Sequence, residues 1–185
     1  RFSQKHVMAD MFVNEKSPLY ESTHIVYLDK INPEIYAAFI KKLFGMDKRR
    51  IDDETINFIL EWCRCHTFYV QYLCHRIFRN GSKDITLNDV RQACSEILNE
   101  NINGFLERRN LLTDKQWQFL KAVAKEGTVS QPTAGNFINK YKLGTSAAVK
   151  RILTSLIEKE LLLETLSLEG KNYSVYNVFL SRWNR

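Results

Sequence analysis

Apolar residues recur at helical spacing along most of this chain, and capping residues mark where each run starts and stops. Asn32, Pro33 and Glu34 open the first clear run, in which Ile35, Phe39, Ile40 and Leu43 form a stripe that Gly45 ends. Asp52 caps the next, with Ile56, Ile59, Leu60 and Cys63 on its inner face. A third run extends from about Thr67 to Arg79, with Phe68, Tyr72, Leu73 and Ile77 inward, and stops at Asn80-Gly81. Thr86 and Asp89 make a capping-box start for a long helix that places Val90, Ala93, Cys94, Ile97 and Leu98 on one side and is expected to continue through Phe105 to Arg108. Residues 33–110 therefore predict a four-helix bundle.

The pattern changes after residue 110. Three helical segments, TDKQWQFLKAVAKEG, PTAGNFINKYKLG and TSAAVKRILTSLIEKELL, precede two strand-like runs, LLETLS and NYSVYNV, around the turn Leu168-Glu169-Gly170-Lys171. That order is a winged helix, a helix-turn-helix closed by a hairpin, and it occupies residues 111–185. Such a unit lays its last helix in a DNA major groove while the hairpin reaches phosphate. In the third segment Val149, Ile152, Leu153, Leu156 and Ile157 face inward, which leaves Thr145, Ala148, Lys150, Arg151, Thr154 and Ser155 on or near the outer side. Thr145 or Ser146 caps this helix and offers N–H groups to a phosphate, Lys150 and Arg151 suit phosphate or a guanine edge, and Lys171 and Asn172 at the wing tip suit the backbone or minor groove. The expected fold class is mainly α with a small β component: a helical bundle followed by a winged helix.

The first thirty residues behave differently. A helical run, Gln4 to Phe12, and a Pro-containing loop lead to His24-Ile25-Val26-Tyr27-Leu28, which has the branched and aromatic character of a strand. No other segment offers it a ladder, so it reads as the edge of a sheet supplied from elsewhere.

Charge sharpens the winged-helix reading. Of the net +6 on 185 residues, +5 falls in residues 113–185, where 11 Lys and Arg stand against 6 Asp and Glu. This balance suits a duplex DNA partner, although the same fold also serves protein contacts. No apolar run approaches membrane-spanning length and no signal-like start is present, which points to the cytoplasm. Cys63, Cys65, Cys74 and Cys94 lack Cys-x-x-Cys spacing and read as reduced core thiols; Cys63 and Cys65 would point to opposite sides of a helix, so no metal is expected. His6, His24, His66 and His75 have no nucleophile or carboxylate at a spacing that compels catalysis, and Asp52-Asp53 is explained by helix capping, so no catalytic residue is expected. The aromatics Tyr173, Tyr176, Phe179 and Trp183 read as packing between the wing and its own helices.

Four motifs in order, Ser3-Gln4-Lys5-His6-Val7-Met8-Ala9-Asp10-Met11-Phe12, Ser17-Pro18-Leu19-Tyr20-Glu21-Ser22-Thr23, Phe68-Tyr69-Val70-Gln71-Tyr72-Leu73 and Tyr173-Ser174-Val175-Tyr176, resemble the C-terminal half of the archaeal-type AAA+ ATPases that also occur in bacteria. The resemblance covers nearly the whole chain. It implies that residues 1–32 end an ATPase core, residues 33–110 are the helical lid over the nucleotide, and residues 111–185 are the winged helix. It also implies ATP and Mg²⁺ as cofactors of a full-length protein, an upstream ATPase core as partner, and no cofactor held by this fragment alone. Ser3 and Gln4 match the position that senses the γ-phosphate, with Phe2 where the family usually has Gly. The family's lid helix opens with a Gly-x-Pro-like turn near the adenine, where this chain departs and reads Cys65-His66-Thr67; His66 and Thr67 are candidates there because a helix N-terminus suits phosphate or purine contacts, the alternative being that Thr67 caps the helix and His66 is a surface residue.

No G-x-x-x-x-G-K-[ST] occurs: Gly170-Lys171 is followed by Asn172, so this stretch supplies neither a phosphate-cradling loop nor a Walker lysine. Two function classes remain. The first is the lid and winged-helix part of an AAA+ ATPase, coupling nucleotide state to DNA or to a protein partner. The second is a free-standing winged-helix transcription regulator with a helical sensing or dimerisation domain.

Overall fold

The computed structural model describes residues 30–167 and 170–185. The expected helix Gln4–Phe12, the expected strand His24–Leu28, and Ser3 and Gln4 lie outside them, as do Leu168 and Glu169 of the wing turn. The chain divides into two compact units: residues 30–111 with Val178–Trp183, and Leu112–Asn177 with Asn184–Arg185.

The first unit is helical. α1 (Pro33–Met46) starts where the Asn32 side chain accepts from the N–H groups of Glu34 and Ile35, and α2 (Asp53–Trp62) where Asp52 accepts from Thr55. α3 (Thr67–Arg79) follows a tight turn in which Arg64 and Cys65 both hold left-handed backbone, φ 54° and 52°. Strain there is offset by the Cys65 N–H donating to Leu60 O (2.8 Å) and Arg64 Nη2 donating to Ser181 Oγ (2.6 Å). α4 (Leu87–Glu100) opens with the Thr86/Asp89 capping box. It stops at Asn101, whose Nδ2 donates back to Ile97 O, and α5 (Ile102–Asn110) continues separately. The long helix of the sequence reading is thus two.

β1 (Arg50–Ile51) and β2 (Asp84–Ile85) pair in parallel and are locked by the Arg50–Asp84 ion pair. Two-residue strands carry no period, so the sequence pattern could not reveal them. The core is Ile56, Ile59, Leu73, Ile77, Val90, Ala93, Ile97 and Phe105. The chain's last helix, α9 (Val178–Trp183), completes it. Phe179 sits among Trp62, Tyr69 and Tyr72, and Trp183 lies against Phe105, so these two aromatics pack with the helical unit rather than with the wing. Arg182 donates to Glu61 O and Trp62 O, capping the end of α2.

The second unit is the expected winged helix. α6 (Asp114–Glu126) begins in a Thr113/Gln116 capping box and ends at Gly127, whose φ of 81° few other residues tolerate. α7 (Gly135–Tyr141) and α8 (Ser146–Glu158) complete the helix-turn-helix. β3 (Leu162–Ser167) and β4 (Gly170–Val175) form the antiparallel wing, and Val129 bridges to Tyr173 on the far side of β4. Phe119, Leu120, Val123, Val149, Leu156, Leu162 and Val175 close the core. The fold is mainly α with a small β component. Among the described residues no helix is long and apolar enough to cross a membrane.

Candidate nucleic-acid interface and an apolar groove

α8 buries Val149, Leu153 and Leu156, which fixes Ala147, Lys150, Arg151, Thr154 and Glu158 on its water-facing side. Ile152 and Ile157, expected inward, are half-buried at the boundary, and Ala148 and Ser155, expected outward, are half-buried too. Ser155 Oγ accepts from Gln116 Nε2 at 3.0 Å and is therefore engaged within the unit. The cap is Thr145, whose Oγ1 accepts from the Ala148 N–H at 3.3 Å, while Ser146 is the first helical residue. The N–H groups of Ser146 and Ala147 have no acceptor inside the helix, as in any first turn. Thr154 Oγ1 donates back to Lys150 O, so its hydroxyl is held against the helix.

Cations on this unit fall into two kinds. Lys140 and the Tyr141 hydroxyl both donate to Glu126, each at 2.6 Å, and hold that carboxyl below the usual range. Lys171 is paired with Glu164 at 2.8 Å, which raises the ammonium and lowers the carboxyl. Asn172 Nδ2 donates to Ser167 Oγ at 2.9 Å. The two wing residues of the sequence reading are therefore occupied inside the hairpin, and the neighbouring Leu166 is 81 % exposed. Lys142, Lys150 and Arg151, by contrast, are exposed and make no ion pair among the described residues. Lys150 and Arg151, with the two free N–H groups of α8, form a surface suited to phosphate oxygens, and Lys142 stands exposed at the end of α7, three residues before the Thr145 cap.

In the helical unit, α1 and α3 enclose an open, almost wholly apolar groove of about 450 Å³, lined by Ile31, Ile35, Phe39 and Leu43 from one side and Thr67, Gln71 and Cys74 from the other. The stripe assigned to the core in the sequence reading divides in two. Tyr36, Ile40 and Phe44 are buried, whereas Ile35 (67 %) and Phe39 (52 %) face outward with Leu43 and Met46. The third helix shows the same rotation: Tyr69 and Val70 are buried and Phe68 is 58 % exposed. The signal was present in the sequence, because α1 carries apolar doublets, Ile35-Tyr36, Phe39-Ile40 and Leu43-Phe44, at four-residue intervals. One inward face accommodates only one member of each.

The groove's polar features are few. Tyr36 lies in its wall with a buried hydroxyl beside Thr67; burial raises its pKa, and the neighbouring Thr67 hydroxyl acts in the opposite direction. Thr67 is the first residue of α3 and does not cap it; the preceding His66 occupies the cap position without a side-chain bond. His66 is exposed, lies edge-on to Tyr69 at 4.9 Å, and is lowered by desolvation and then by Lys30. All four cysteines are free thiols; burial pushes Cys63 far up, and Cys74 and Cys94 to about 12, so none is a ready nucleophile. Among the described residues no group of three or more His, Cys, Asp or Glu is placed to hold a metal.

Residues 103–185 match the protein family described as "Probable winged helix domain". Among solved structures the whole chain is similar to the Walker-type ATPase PABY2304 of Pyrococcus abyssi, with a TM-score of 0.62 and 15 % identity. That likeness covers 98 % of this chain and 49 % of the other, so the chain spans about half the length of the structure it matches. No curated protein matches.

Proposed function

We propose that this chain is the lid and winged-helix portion of a nucleotide-driven ATPase, and that the winged helix delivers the nucleotide state to duplex DNA. The carrying observation is that one fold likeness runs through both units in order, against half of a protein described as a Walker-type ATPase. Fold alone does not assign an activity, so the site must agree with it. In the helical unit, Thr67 and His66 stand at the start of α3 beside an apolar groove, a setting that accepts the base of ATP more readily than its phosphates. Ser3 and Gln4 are the candidates for the γ-phosphate. The chain has no phosphate-cradling loop, so the triphosphate and its Mg²⁺ would be held by the upstream core. When bound, that nucleotide supplies the energy of phosphoryl transfer; these residues supply walls and orientation.

For DNA, the contact surface is the outward side of α8: Thr145, Ser146, Lys150, Arg151 and Thr154, joined by Lys142. Lys171 and Asn172 are secondary, because Glu164 and Ser167 already engage them. An exposed leucine beside a neutralised lysine favours a protein contact at the wing tip itself. The coding sequence that precedes Arg1 tests the ATPase reading. An in-frame Gly-rich loop ending in Lys-Ser or Lys-Thr, with an acidic strand after it, is expected, and a longer polypeptide carrying them should hydrolyse ATP. A stop codon directly upstream, or an upstream reading frame without that loop, leaves the free-standing regulator instead.

A further inference from the structure

We propose that α1 pairs with α1 of a second copy of this chain, antiparallel, about a two-fold axis near Ala38. Ile31, Ile35, Phe39 and Leu43 recur at every fourth residue and Met46 extends them, each between 39 % and 74 % exposed. Residues at four-residue spacing form a ridge, and two such ridges interdigitate at a crossing angle of about −50°, the commonest way for helices to pack. The exposed parts of these five side chains come to roughly 500 Å² per copy, more than half of the about 800 Å² that each partner contributes to a standard interface. A contiguous apolar surface of that size marks a contact site, and Thr67 and Gln71 on the far wall of the groove enlarge it.

The polar flank of the ridge selects this occupant. Glu34, Ala38 and Lys42 run beside the ridge, again four residues apart, and all three are exposed. Among the described residues Glu34 and Lys42 make no ion pair, whereas the neighbouring Lys41 is held by Asp53 at 2.7 Å. In an antiparallel pair each flank faces its own counterpart, so Glu34 of either copy meets Lys42 of the other. A parallel pair would set Glu34 against Glu34 and Lys42 against Lys42. Ala38 stands halfway between the two charges, where a small side chain lets the helices approach. The contact is thus self-complementary, as a two-fold interface must be, and it also opposes the two helix dipoles. The pairing does not rest on the nucleotide reading; a nucleotide in the groove would compete with the second ridge.

Sedimentation velocity of the intact chain without nucleotide, from about 1 to 100 µM, is expected to show a monomer–dimer equilibrium that Phe39→Glu abolishes. Lys42→Glu sets like charges together twice in each dimer and should weaken association at least about tenfold, with circular dichroism unchanged. The exchange Glu34→Lys/Lys42→Glu restores opposite charges across the pair and should return the dissociation constant to within about threefold of the original chain's. A chain monomeric throughout that range, its ridge left to another occupant, overturns the pairing. So do dimers indifferent to Phe39→Glu, or a charge exchange that fails to rescue Lys42→Glu. An upstream reading frame without a phosphate loop leaves these outcomes untouched.

Discussion

Phe179 stands at the far end of the chain, after the wing, yet its ring lies 5.5 Å from Trp62, 4.7 Å from Tyr69 and 5.5 Å from Tyr72, and it is 5 % exposed. Phe179→Ala removes the ring and leaves a cavity bounded by three aromatic side chains of the helical unit. A buried Phe→Ala change costs about 3–5 kcal/mol, with the upper half expected where rigid rings cannot collapse into the space. Whole domains hold only about 5–15 kcal/mol, so this takes a large share of the helical unit's stability. Thermal unfolding should show that unit's midpoint falling by more than about 10 °C. Amide exchange resolved by peptide should locate the loss in α2, α3 and α4, with Leu112–Asn177 largely unchanged. Loss of protection confined to Leu112–Asn177, or unchanged protection in α2 to α4, contradicts the assignment of α9 to the helical core.

Arg182→Met keeps the aliphatic stem but removes the donors to Glu61 O and Trp62 O, and should destabilise the same helices by about 1–3 kcal/mol in urea titrations; a change within error at both α2 and α3 contradicts the capping role. Asp52, Asp89 and Glu126 have carboxyls lowered by hydrogen bonds from Thr55, Thr86 and Lys140 respectively. Carboxyls lowered in the folded state contribute stability above their unfolded pKa of about 4 and lose it as pH falls through the folded values, so the urea midpoint should decline little from pH 7 to about 5, where only His66, lowered in the fold, takes up its proton, and drop steeply toward pH 2. A midpoint that rises on acidification refutes this. The Cys74 thiol, pushed up to about 12, should alkylate at pH 8 on the order of a thousandfold more slowly than a free cysteine, as read by mass spectrometry in a Cys65→Ser background; reaction at the free rate shows that the thiol is not shielded.

How much was legible in the sequence follows from which signals are local. Caps are local: Asn32, Asp52, Thr86 and Thr145 each start the helix their side chains predict, because the bond that satisfies the orphan N–H groups lies within three residues. The wing was equally readable, since alternation and a Gly-containing turn fix its register. Which side of a helix is buried is a tertiary choice. α1 has two apolar stripes of the same period, and spacing does not say which turns inward: Tyr36 and Phe44 lie on the buried stripe, Ile35 and Phe39 on the exposed one. α9 was legible as apolar but not as belonging to residues 120 positions earlier in the chain, a contact that no spacing encodes. On α8 the outward positions of Lys150, Arg151 and Thr154 were readable from period alone, whereas the engagement of Lys171 by Glu164 depends on hairpin register.

If α8 presents its cationic side to duplex DNA, binding must release counterions and weaken as salt rises. Fluorescence anisotropy of a labelled duplex, titrated with the chain from about 20 to 200 mM salt, should give a slope of log K against log salt near about −2.7 if Lys142, Lys150 and Arg151 each neutralise one phosphate. In Lys150→Ala/Arg151→Ala the slope should fall to about −0.9, with affinity reduced across all sequences alike. Absence of binding at the lowest salt, or an unaltered slope in the double variant, contradicts the claim.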